Sequence, residues 1–139
     1  MKMDEFKDTI GASRREIENW LNRVDPFLST FEPTRRGIPR EYTKENVIEL
    51  AFIAAFIRAG LELQSASAYA RTMLRHYRNK EVRAWVAFPA GDAASSKATD
   101  DISGTDFAAL AARSDRSAVT VIHVSAVFEK IERLFARAA

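Results

Sequence analysis

The 139-residue chain has no cysteine. This excludes disulfide staples, thiolate metal centres and cysteine nucleophiles, and it fits a reducing compartment. Long apolar runs are missing too. The longest, Leu50 to Ile57, is too short to span a bilayer, and MKMDEFKDTI at the start has no apolar core of signal-peptide length. The expectation is a soluble, cytoplasmic protein with no membrane partner. Histidine is scarce, with only His76 and His123 present. No P-loop, dinucleotide fingerprint or metal-ligand spacing occurs. The paired carboxylates Asp100-Asp101 fall in a small, polar stretch that offers no rigid support for a site. No enzyme, no metal and no cofactor are expected. Charge of one sign is not in large excess either: the net charge is +2, which excludes a histone-like coat.

What is present is globular: 47% of the residues are hydrophobic and 29% charged. The charge is unevenly spread. Residues 1–80 hold 14 Lys/Arg against 11 Asp/Glu, and residues 81–139 hold 7 against 8. An anionic partner would therefore prefer the first part. Fifteen of the 21 cations are arginine, the better fork for phosphates and guanine edges.

Along the chain, Phe6 and Ile10 share one face of a short helix over 4–10, and Gly11-Ala12-Ser13 makes a turn. Ser13 and Glu16 form an S-x-x-E capping box that opens the next helix. Ile17, Trp20, Leu21 and Val24 lie on one face of it. Arg15, Glu18, Asn19 and Asn22 lie on the other. Pro26 ends it. Leu28–Phe31 and Ile38–Tyr42 would then make a small hairpin with the basic tip Thr34-Arg35-Arg36-Gly37. Thr43 caps a helix that stops at Gly60, with apolar residues on nearly all sides. A further helix spans 63–78 and ends in a basic cluster that suits a helix C-terminus. Beyond it, Val82–Phe88 alternates as a strand, 91–104 reads as a mobile loop, and 105–113 as a short helix. A second strand covers 118–124, and Ser125 caps a last helix carrying Val127, Phe128, Ile131, Leu134 and Phe135. The direction of the two strands is left open.

The first part resembles the MerR family of winged helix-turn-helix proteins, over roughly residues 4–75, about half the chain. Ile10-Gly11-Ala12-Ser13-Arg14-Arg15 is similar to the family's "G-V-S" turn before the recognition helix. Arg40-Glu41-Tyr42-Thr43 is similar to its "R-x-Y-T" at the end of the wing, and Thr43-Lys44-Glu45-Asn46-Val47 to its "T-x-E-D-V". Phe52-Ile53 and Arg58-Ala59-Gly60-Leu61-Glu62-Leu63 resemble its "F-I" and "x-A-G-L-S-L". The resemblance implies major-groove entry by the Ser13–Asn22 helix, with Ser13, Arg14, Arg15, Glu18 and Asn19 as candidate contacts. It implies backbone contacts from Arg35, Arg36 and Arg40 in the wing, and places Tyr42 near a phosphate. Tyr42 is equally suited to packing under the wing, and Glu18 to holding Arg14 or Arg15 in place. The chain departs from the family near Asn79, where the long dimerising helix gives way to a strand.

The expected fold is α+β and mainly helical. A MerR-like winged helix DNA-binding domain at 1–80 is followed by a small β-α-β-α oligomerisation or effector domain at 81–139. The expected function is a sequence-specific, repressor-like transcriptional regulator that binds double-stranded DNA as a homodimer, its small-molecule effector, if any, unspecified. Two alternatives stand beside it. One is an excisionase-like architectural DNA binder of a mobile element. The other is a protein-interaction adaptor that does not bind DNA.

Overall fold

The computed structural model describes residues 1–24 and 40–138, apart from the side chain of Val24. Helix α1 (Met3–Ile10) and helix α2 (Arg14–Val24) come first, then α3 (Lys44–Arg58) and α4 (Leu63–Arg78). Strand β1 (Trp85–Pro89), strand β2 (Lys97–Thr99), helix α5 (Phe107–Ala112), strand β3 (Val119–His123) and helix α6 (Val124–Ala138) follow. Among the described residues the fold is α+β and mainly helical, with one three-stranded antiparallel sheet in the order β2-β1-β3. No helix among the described residues is long and apolar enough to cross a membrane. The predicted hairpin, with Arg35 and Arg36, lies outside the described residues up to position 39.

Local chemistry sets the helix ends. Gly11 has φ +72°, the left-handed conformation that glycine adopts without a Cβ penalty. Its turn lets the Ala12 N–H donate to the Lys7 carbonyl at 3.0 Å and so closes α1. Thr43 Oγ1 accepts from the Asn46 N–H, and Asn46 Oδ1 accepts from the Thr43 N–H, at 3.1 and 2.9 Å. This reciprocal cap starts α3. Gly60, at φ +97°, ends it in the same way as Gly11: the Leu61 N–H donates to the Phe56 carbonyl at 3.0 Å.

The core is continuous across residue 80. Phe52 of α3 meets Phe128 of α6 with ring centroids 5.0 Å apart, and Phe56 meets Phe88 of β1 at 6.4 Å. Tyr77 of α4 stacks on Phe128 at 5.2 Å. Helix α6 packs against α1, α3 and β1. Its Glu132 accepts from Lys44 Nζ at 2.6 Å and from the Tyr77 hydroxyl at 3.3 Å. Val86, Phe88 and Ile122 point from the sheet into this core. The opposite face of the sheet is covered by α5, where Leu110 and Ala87 are buried.

The tail differs from a β-α-β-α unit in two respects. The stretch 91–104 is not an open loop. It contains β2 and two short 3₁₀ turns, Ala93–Ser95 and Ile102–Gly104. Polar side chains hold it in place: Asp101 accepts from its own Ser103 N–H at 3.1 Å, and Asp100 accepts from the Ala84 N–H just before β1 at 2.9 Å. Ser125 is also not the cap of α6. That helix begins at Val124, directly after β3, and the Ser125 N–H donates to the Ala84 carbonyl at 3.2 Å. The Ser125 hydroxyl instead meets His123 Nε2 at 2.9 Å, and the His123 ring stacks on Trp85.

Candidate nucleic-acid interface

Helix α2 is built as the spacing predicts. Ser13 Oγ accepts from the Glu16 N–H at 3.1 Å, and Glu16 Oε1 accepts from the Ser13 N–H at 3.2 Å. Ile17, Trp20 and Leu21 are buried, while Arg15, Glu18, Asn19, Asn22 and Arg23 are exposed. The exposed stripe begins in the first turn, where a helix entering the major groove places its reading residues.

A contact that sequence spacing does not reveal holds the turn. Arg58, at the last position of α3, donates from Nη2 to the Gly11 carbonyl at 2.9 Å and pairs with Glu16 Oε2 at 3.0 Å. One guanidinium thus joins the α1–α2 turn, the cap of α2 and the core helix α3. The Ser13 backbone N–H, and then Arg58, hold the Glu16 carboxyl below its ordinary range. Arg58 shares no local motif with the turn: it follows Gly11 by 47 positions and Glu16 by 42.

The predicted contact residues among those described take different parts. Arg15 and Asn19 are exposed, and neither makes a side-chain hydrogen bond or ion pair with another described residue. Ser13 is exposed and engaged in the cap. Arg14 is committed: it donates to Asp4 Oδ1 of α1 at 2.7 Å and lies 3.7 Å from Glu18 Oε1. Glu18 thus holds Arg14 rather than Arg15. Tyr42 is in the core, 5% exposed, with its ring edge-on to Phe6 at 4.9 Å. Burial pushes its phenol up, and Arg40, Arg14 and Glu18 are the charges that act on it. Arg40 is half-buried.

Residue 42 is also tied to the start of the chain. The Tyr42 N–H donates to the Met1 carbonyl at 2.8 Å. Glu41 pairs with Lys2 Nζ at 2.5 Å and with the Met1 amino group at 2.8 Å. Those two hydrogen bonds, Lys2's first, hold the Glu41 carboxyl at about 2. Lys44, Arg58 and Arg78 each hold a carboxylate of another helix. Arg78 forks onto Glu45, Nε to Oε1 at 3.0 Å and Nη2 to Oε2 at 2.5 Å, so this part of the basic cluster at the end of α4 is a structural ion pair.

No family model, no curated protein and no solved structure matches this chain.

Proposed function

We propose that the chain is a sequence-specific DNA-binding transcriptional regulator, repressor-like and homodimeric, with a MerR-like winged helix-turn-helix in residues 1–80. The observation that carries this reading is the outer face of α2. Its Arg15 and Asn19 hold no structural partner among the described residues, yet the helix beneath them is fixed by a cap, a buried stripe and the Arg58 clamp. A rigid helix with uncommitted arginine and asparagine in its first two turns suits base readout, guanine for the one and adenine for the other. Arg40, with Arg35 and Arg36 of the predicted wing, serves the phosphates, which gives affinity with little sequence reading. Arg14 is a positioning residue in this scheme, because Asp4 and Glu18 already engage it.

One observation favours the adaptor alternative. Helix α1 turns Asp4, Glu5 and Asp8 outward, beside α2, and such a face repels phosphate. The two readings separate in a binding assay on duplex DNA over a range of salt. Under the regulator reading, Arg15→Ala or Asn19→Ala relaxes sequence preference. Arg35→Ala, Arg36→Ala or Arg40→Ala weakens binding to all sequences and flattens the salt dependence. No binding to duplex DNA even at low salt supports the adaptor.

A further inference from the structure

The two edges of the sheet are unlike. Strand β2 is three residues long and starts with Lys97. Short length and an edge lysine are ordinary ways of blunting an edge. Strand β3 has neither. Its five residues, Val-Thr-Val-Ile-His, include no Lys, Arg, Asp, Glu or Pro, and its register with β1 runs without a bulge.

The backbone of β3 is aimed outward in a defined pattern. The Ala90 N–H donates to the Ala118 carbonyl at 2.9 Å. By antiparallel alternation, Phe88/Thr120 and Val86/Ile122 are then hydrogen-bonded pairs, whereas Pro89/Val119 and Ala87/Val121 are not. The N–H and C=O groups of Val119 and Val121 therefore point away from β1. No other described strand pairs with that side.

The side chains reinforce the backbone. The large hydrophobic residues that stand exposed among those described are Val121 and Phe107, each at 40%. They are on elements that touch, since α5 packs on β3. An uncharged strand edge thus carries one exposed apolar side chain, and the helix that touches it carries the other.

We propose that β3 pairs antiparallel with β3 of a second copy, across a two-fold axis at Val121, to make one six-stranded sheet. Val121 then faces the partner's Val121, Thr120 the partner's Ile122, and Val119 the partner's His123. A copy fits this edge because the pairing is self-complementary. It sets no like charges opposite one another, and it matches β-branched residues across the axis. The contact deepens the dimeric regulator proposed above and rests on it for its consequence, two α2 helices addressing two half-sites.

The chain has no cysteine, so one introduced thiol reports cleanly. In a hydrogen-bonded antiparallel pair the Cα atoms are about 5.5 Å apart, inside the disulfide range of about 4.4–6.8 Å. Mild oxidation of full-length Val121→Cys is expected to give a reducible covalent dimer, and Lys97→Cys at the other edge none. Sedimentation over a concentration series is expected to show a wild-type dimer and a monomeric Val121→Lys with unchanged helical circular dichroism. Should the lysine variant unfold, the cysteine pair decides. A wild type that is monomeric at every concentration overturns the pairing and leaves the edge to a strand of another protein. Equal cross-linking at positions 121 and 97, or a Val121→Lys as dimeric as wild type, also overturns it. All these readouts are made without DNA. A dimer that enriches no DNA overturns the regulator and leaves the pairing, whereas a monomer that enriches one sequence overturns the β3 pairing and the homodimer and leaves DNA recognition by α2.

Discussion

Helices α2 and α3 are used in opposite ways. In α3, residues 46–54 and Phe56 are all buried, so the helix has almost no outer face. In α2 only one stripe, Ile17, Trp20 and Leu21, is buried, and the polar remainder looks outward. A helix surrounded by core can change at few positions without disturbing packing. A helix that hides one stripe can change its outer face while the fold stays as it is. Arg58 joins the two, because it leaves the end of α3 and clamps the turn before α2. The core helix thus sets the position of the open one.

The contrast can be broken most severely at Phe52, which is fully buried between Phe56 and Phe128. Phe52→Ala is expected to lower stability by about 3–5 kcal/mol, read as a lower urea midpoint. A drop as small as that of a surface change would mean that α3 is not the centre of the core. Next comes Arg15. Arg15→Ala is expected to leave stability within about 0.5 kcal/mol. It is expected to cost about 1–3 kcal/mol of discrimination at one base pair, measured by competition between duplexes.

The caps give smaller effects. Thr43→Ala and Ser13→Ala each remove a side-chain acceptor at a helix start, and each is expected to cost about 1 kcal/mol in thermal melts. Only the Ser13 change also loosens the turn that presents Arg15, so only it should impair DNA binding. The smallest effect is in pH. The Glu16 carboxyl is held below its ordinary value of 4.5 in the folded chain. Its contribution is therefore complete above the ordinary carboxylate range and is lost as pH falls through the folded value. The site is partly exposed, so the change in stability is small. Arg58→Met should move the Glu16 titration upward in a carboxyl-detected NMR experiment. An unmoved titration would deny the clamp.

What was legible in the sequence was local. Ser13 with Glu16, Thr43 at the start of α3, and Gly11 and Gly60 as stops each act within one helical turn. The buried stripe of α2 follows from spacing alone. What stayed hidden depends on contacts between distant segments. Strand β2 has no apolar alternation and forms because Trp85–Ala87 offers it a ladder. Arg58 reaches Glu16 across 42 positions, and Arg14 reaches Asp4 across the turn. The burial of Tyr42 depends on Phe6, a residue of another helix. Ser125 looked like a cap because it precedes an apolar stripe, but its N–H belongs to the Ala84 carbonyl.

The most direct measurement is selection from random duplex DNA at low salt, by wild type and Arg15→Ala side by side, with sequencing of what is retained. The account predicts that wild type enriches an inverted repeat and that the variant loses preference at a defined position in each half. Equal enrichment by both proteins, or no enrichment by wild type, would contradict a reading role for α2.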